Sequence, residues 1–273
     1  MLDLLTRAKN AIEVYNSQLR VNSANIANMS NPGYKSIKIS FQTLFERLIN
    51  AGSTAEDGIG GTNPIQMGAS VGVSSTWLDF TQGGFTDGGP LDVAIQGSGL
   101  FIISPNEGQT LLYTRAGRFR VDGSGNLVTD TGMQVYGYSS GGFAPIQGLT
   151  EYNPLLLSFS TDGRLVEYAD DTFTTESRDT GFSLALTSFT NLSGLAQAQG
   201  NAFAETAASG TPLEYASVGG TYGTISPRRI EQSNVFYSGE IIDSMEAQRA
   251  MTGNLTIVRM INDEITNFIN RIS

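Results

Sequence analysis

The chain has 273 residues, a net charge of −10, no cysteine and no histidine. That composition excludes disulfides, thiolate nucleophiles and cysteine-type zinc sites, and it removes the commonest general base and metal ligand. The length allows one large domain or two ordinary ones.

The first residues, Met1-Leu2-Asp3-Leu4-Leu5-Thr6-Arg7, lack an apolar stretch of signal-peptide length. Leu5, Ile12, Leu19 and Ile26 then recur every seven residues, with Ala8, Tyr15 and Asn22 three residues after the first three of them. This is one stripe of a helix, the pattern of a coiled-coil seam. It predicts a helix from about Leu4 to Asn28, ended by Asn31-Pro32-Gly33, with Gly33 in a left-handed cap. Asn22, Asn25 and Asn28 are poor helix formers. They fit a fraying end, or Asn22 on the seam fixes the register of packed helices.

Residues 36–50 begin with strand-like alternation and shift towards a helical pattern. Residues 51–70, with Gly58, Gly60-Gly61 and Pro64, read as a connector and carry no phosphate-loop spacing. From 71 to 225, short β-rich runs alternate with turn signals such as Asp122-Gly123 and Asp162-Gly163, which predicts an antiparallel β domain. Residues 51–225 carry 17 acidic and 5 basic side chains, whereas the two ends carry 9 acidic and 11 basic. An acidic middle argues against nucleic acid as a partner.

Asp79, Asp87, Asp92, Asp170 and Asp171 are the carboxylates best suited to acid/base work, but nothing in the sequence pairs them, and surface or turn positions are the plainer reading. Asp122-x-Ser-x-Asn126 is too sparse for a calcium loop. Tyr113-Thr114-Arg115 with Arg118 and Arg120 is a small basic cluster, either paired with local carboxylates across strands or docked on the acidic face of another copy.

After Pro227 the helical pattern returns. Ser233 or Asn234 is placed to cap it, and Gly239 and Gly253 each cost about 1 kcal/mol relative to alanine. Met251, Val258, Ile265 and Ile272 recur every seven residues, with Leu255 and Ile269 four residues after two of them. No run of about 18 apolar residues occurs, so no membrane insertion is expected. The expected fold class is therefore α+β. N- and C-terminal helices form a coiled-coil-like helical domain and carry a central antiparallel all-β domain. The expected divisions are an N-terminal helix over 1–35, a connector over 36–70, the β domain over 71–225 and a C-terminal helix over 226–273.

Three ordered motifs resemble the bacterial flagellar rod and hook subunits, the axial proteins of the basal body. The first is Asn22-x-x-Asn25-Ile26-Ala27-Asn28 followed by Gly33-Tyr34-Lys35. The second runs Asp79-Phe80-Thr81-Gln82-Gly83, then Leu91-Asp92-Val93-Ala94-Ile95-Gln96-Gly97-x-Gly99-x-Phe101, then Tyr113-Thr114-Arg115-x-Gly117-x-Phe119 and Gly125-Asn126-Leu127-Val128. The third is Glu231-Gln232-Ser233-Asn234-Val235 with Glu246-Ala247-Gln248-Arg249-Ala250. The resemblance spans nearly the whole chain. It implies a structural subunit without enzymatic activity, catalytic residues, metal or cofactor. It further implies export through the flagellar export apparatus and assembly with copies of itself and other rod and hook proteins into a hollow helical tube. A long segment between Tyr34 and Gly68 resembles the distal rod, and a short hook protein is the alternative. A secreted β module for cell-wall glycan, with helices that only dimerise it, is a reading of a different class.

Overall fold

The structure is a computed structural model that describes residues 2–50, 61, 63, 65–170, 172–218 and 222–272. The chain forms two compact units. One comprises 1–26, 37–77 and 237–273, and the other 27–36 and 78–236.

The first unit holds the two long helices, α1 (Leu2–Ala27) and α2 (Tyr237–Ile272), and two 14-residue strands that pair with each other, β1 (Ile37–Asn50) and β2 (Ile65–Leu78). At 26 and 36 residues, the helices span about 39 and 54 Å. Where the sequence suggests a connector over 36–70, the described residues belong largely to β1 and β2; the glycine-rich tract 51–60 lies outside the described residues. The helical drift read over 36–50 is absent: β1 continues to Asn50.

The covered line on α1 runs Ala8, Ala11, Tyr15, Gln18, Asn22 and Asn25, alternating three- and four-residue steps, with Ala8, Asn22 and Asn25 fully buried. On α2 it runs Glu240, Ser244, Ala247, Met251, Asn254, Val258 and Ile261. The Asn22 amide lies 3.2 Å from Ser244 Oγ, a polar contact between the two lines. Asn25 grips the backbone of Ile37 twice, its Nδ2 donating to the carbonyl and its Oδ1 accepting from the N–H, both at 2.9 Å. These asparagines are buried anchors, which is why α1 carries poor helix formers without fraying there.

The second unit is antiparallel β throughout. Its first strands are β3 (Phe85–Asp87), β4 (Val93–Gln96), β5 (Leu100–Ser104), β6 (Leu112–Thr114), β7 (Phe119–Val121), β8 (Leu127–Thr129), β9 (Gln134–Ser139) and β10 (Gly142–Pro145). Then come β11 (Leu157–Phe159), β12 (Arg164–Tyr168), β13 (Glu176–Thr187), β14 (Ala196–Gln197), β15 (Ala202–Ala204), β16 (Ala216–Ser217), β17 (Thr224–Pro227) and β18 (Arg229–Glu231). The main sheet runs β11-β12-β13-β9-β5-β6-β15-β14, with β7, β8, β10 and β16 attached at its sides. Two separate pairs, β17 with β4 and β18 with β3, tie the last strands of the unit to the first.

Alternation along these strands buries one apolar core containing Val93, Ile95, Phe101, Leu127, Val135, Ile146, Leu157, Phe159, Leu184 and Leu186. Phe119 packs edge-on against Phe101 and Phe159, at ring separations of 5.2 and 6.3 Å.

The Asp122 turn shows how local chemistry fixes a hairpin. Its carboxylate accepts hydrogen bonds from Ser124 N–H (2.9 Å), Asn126 N–H (2.8 Å) and Asn126 Nδ2 (3.0 Å). The Asn126 backbone bond is the largest influence holding its pKa below the ordinary carboxylate value, against a smaller desolvation effect. A depressed folded-state pKa adds stability that is complete above the ordinary value and is lost as pH falls through the lower one. Asp122→Asn is therefore expected to flatten the acid limb of the melting temperature measured from pH 5 to pH 2, while the rest of the profile keeps its shape.

Candidate functional site: a buried charge junction in the β unit

Four chain segments meet inside the second unit: 33–36, 79–83, 115–117 and 231–234. At their centre is Glu231, whose side chain is fully buried. Lys35 Nζ, also fully buried, donates to Glu231 Oε1 at 2.7 Å and to the Thr81 carbonyl at 2.8 Å. The Gly83 N–H donates to the same Oε1 at 3.0 Å. On the other side, Arg115 Nε lies 3.4 Å from Glu231 Oε2, and Arg115 Nη2 donates to the Gly97 carbonyl at 2.5 Å.

Asn234 closes the next layer. Its Oδ1 accepts from Ser36 N–H at 2.8 Å, and its Nδ2 donates to the Asp79 carbonyl at 2.7 Å and to the Thr81 carbonyl and hydroxyl at 3.1 Å. Backbone bonds join the same segments: Gly33 N–H to Glu231 O (2.8 Å), Asp79 N–H to Ser36 O (2.9 Å) and Gln232 N–H to Gly84 O (2.7 Å).

Glycines permit this proximity. A Cβ on Gly83 would sit 2.0 Å from the Gln232 carbonyl oxygen, and one on Gly117 would sit 1.6 Å from that of Val93. Gly33 adopts the left-handed conformation predicted for it (φ 68°), but for a different reason. The helix ends at Ala27, and Gly33 instead lies against the Arg115–Ala116 backbone, where a Cβ would approach within 2.4 Å.

Burial is the main influence lowering the pKa of the Lys35 ammonium; Glu231 opposes it by charge and hydrogen bond, Arg115 reinforces it, and Asp79 opposes it weakly. Burial also lowers the Arg115 guanidinium, again against Glu231. Two cations thus share one carboxylate away from water. Such a cluster contributes little net stability when complete, and removing one member is costly.

The predicted site residues divide clearly. Gly33, Tyr34, Lys35 and Asn234 belong to the junction, and Asn25 and Asn22 are buried in the helical unit. Asn28 is half-buried beyond α1, with its Oδ1 accepting from Asn31 Nδ2 at 2.7 Å. Ser233 Oγ accepts from Val235 N–H at 3.2 Å ahead of α2, so neither Ser233 nor Asn234 caps a helix that starts at Tyr237.

Leu5, Ile12, Leu19 and Ile26 are half-buried flanks of the covered line on α1, and Met251 and Val258 are half-buried on that of α2. Leu255, Ile265 and Ile269 are exposed, as are Gln248 and Arg249. The Ile272 side chain lies outside the described ones. The companion line on α2 falls three residues from the first, at Ala247, Asn254 and Ile261, where the sequence reading placed it four residues on, at Leu255 and Ile269. A small and a polar residue occupy two of those three positions, so a search for apolar repeats passes over them.

Glu231 and Arg115 carry the junction and were not singled out as site residues. Both stand inside the family motifs, and opposite charges embedded in two of those motifs are the available signal. Of the remaining basic cluster, Arg118 lies 3.8 Å from Asp130, and Arg120 Nη2 donates to the Asp130 carbonyl at 2.9 Å, which is local pairing. Three of the candidate acid/base carboxylates each have a separate local partner. Asp79 accepts from Thr81 N–H, Asp92 accepts from Gly89 N–H, and Asp87 lies 4.0 Å from Arg229. Asp171 lies outside the described residues. Among the described residues no group of three or more acidic side chains is placed to hold a metal ion, and no helix is long and apolar enough to cross a membrane.

Side chains consumed in holding chain segments together, in a chain that also carries two long terminal helices, define a structural protein. Residues 94–167 match the flagellar hook protein FlgE/F/G D1 domain family model. The chain is 31% identical to the flagellar basal-body rod protein FlgG of Bacillus subtilis (strain 168), over 99% of both chains. It is 30% identical to the rod protein FlgG of Agrobacterium fabrum, over 98% of both. It is also 38% identical to the flagellar hook protein FlgE of Helicobacter mustelae, over 50% of this chain and 31% of that one. The chain belongs to the flagellar rod and hook protein family.

Proposed function

We propose that this chain is a structural subunit of the bacterial flagellar rod, of the distal-rod kind, without enzymatic activity of its own. Copies assemble with one another and with other rod and hook proteins into a hollow helical tube that transmits torque and forms part of the export channel. The chain reaches that place through the flagellar export apparatus. The single observation that carries the rod reading is length. The similarity to rod proteins extends over essentially the whole of both chains, whereas the similarity to hook protein covers under a third of the hook chain.

The helical unit supports assembly. The covered line of α2 steps on from Ile261 to Ile265 and Phe268 with the same spacing. Every described side chain from Asn262 to Arg271 is exposed, including Phe268 at 61% and Ile269 at 58%. This stripe has the geometry of a seam and no cover among the described residues of its own unit. A heterologous, non-closing contact between identical subunits that covered it would generate a helical filament.

Deletion of residues 1–30 tests the reading in cells. The variant is expected to be absent from purified basal bodies, and its incorporation at the level of the intact chain would refute the assignment.

A further inference from the structure

Arg115 has more donors than the junction uses. Its Nε faces Glu231 and its Nη2 holds the Gly97 carbonyl, but Nη1 is buried with no acceptor among the described residues. Arg115 itself is only 4% exposed. The same side chain helps wall a pocket of about 260 Å³ with Phe80, Gln82, Gly97, Ser98, Gly99 and Leu192. A buried charged donor left unpaired is costly, so an acceptor in this pocket is favoured.

Charge points the same way. Lys35 and Arg115 share Glu231, whose Oε1 is already taken by Lys35 and Gly83. Asp79 turns its Oδ1 to the Thr81 N–H and bears on Lys35. Glu231 Oε2, 3.4 Å from Nε, is the one carboxylate oxygen beside Arg115, so two buried cations divide a single negative charge. Among the other wall groups, Gln82 is engaged with Ile95 O (2.6 Å) and Gly97 N–H (3.3 Å), so its polar ends face backbone partners. Phe80 and Leu192 supply apolar wall suited to a methylene stem, which a bare halide would leave unfilled.

We propose that this pocket is a carboxylate-binding site, occupied in the assembled protein by an acidic side chain of a second copy. The site stands on the geometry of one chain; the source of the carboxylate rests on the assembly reading above. Copies offer many candidates, since residues 51–225 carry 17 acidic side chains.

The test uses the dilute full chain with 15N-labelled arginine, titrated with sodium propionate or sodium chloride at matched ionic strength. Propionate is expected to shift the Arg115 Nε–H resonance saturably and to raise the melting temperature by about 3 °C at tenfold excess over its dissociation constant. Ser98→Asp lies on the exposed β4–β5 turn, outside the junction. It is expected to shift the same resonance without propionate and to slow assembly at least tenfold.

No saturable propionate shift, or an equal shift from chloride (an adventitious ion only), overturns the carboxylate site. Propionate binding combined with unimpaired assembly of Ser98→Asp overturns the second copy as the source and keeps the site for free carboxylates. A wild-type chain that binds propionate but never assembles refutes the assembly reading and, with it, the second-copy source.

Discussion

Glu231→Ala is expected to destabilise the β unit by about 3–5 kcal/mol, because it leaves Lys35 and Arg115 buried together with no carboxylate between them. The Gly83 N–H loses its acceptor in the same step. For a unit of this size the loss corresponds to a fall in melting temperature of about 10 °C or more, read by calorimetry. The comparison that isolates burial is Asp179→Ala. Asp179 pairs with Arg164 at 2.9 Å, closer than the Arg115–Glu231 contact, but both side chains are nearly half exposed. Water and mobile side chains discount such a pair to about 0.2–1 kcal/mol. Equal effects from the two variants would contradict the junction as described. Replacing Lys35, Arg115 and Glu231 together by apolar residues is expected to restore most of the loss, since the penalty comes from unpaired charge more than from a missing attraction.

The second large effect is on assembly. A chain ending at Ile261 is expected to keep the folded stability of the free subunit, because every described side chain in 262–271 is exposed. It is expected to lose filament formation. Burying the exposed halves of Ile265, Phe268 and Ile269 is worth about 3 kcal/mol per subunit, roughly a hundredfold in a dissociation constant. Light scattering against concentration reads assembly, and calorimetry of the dilute chain reads folding. A truncated chain that assembles like the intact one would remove the helix end from the interface; one that melts early would mean the segment already packs within its own subunit.

The two variants also mark what the sequence made legible. Helices at both termini and an antiparallel β middle followed from periodicity, because the 3.6- and 2-residue repeats are written directly in side-chain polarity. The first strands were harder. Residues 36–50 mix both periods, and β2 follows a glycine-rich tract, so a strand pair in the helical unit read as a connector. Seam composition hid the rest of the helical face. Asn25 and Asn254 lie on covered lines as polar residues, and Ala247 as a small one, and none raises an apolar signal.

The junction was half legible. Lys35 and Asn234 stood out through the family motifs, and they do bind the chain together. Glu231, the partner of Lys35, lies 196 positions further along the chain, and one sequence carries no record of that contact. Arg115 shows the same limit from another direction. In the sequence it reads as part of a small basic cluster with Arg118 and Arg120, whose alternation along one strand it does not share. The close approach of Gly33 to the Arg115–Ala116 backbone and of Gly117 to Val93 is part of what encloses it.

Hydrogen exchange of residues 262–272, measured by mass spectrometry in the dilute chain and in assembled filaments, distinguishes a helix end covered by a neighbouring copy from one covered within its own subunit. Rapid exchange is expected in the free subunit and strong protection on assembly, while the covered stretch 240–261 is protected in both. Equal exchange of 262–272 in the two states, whether fast or slow, would contradict a seam that finds its cover only in a neighbouring copy.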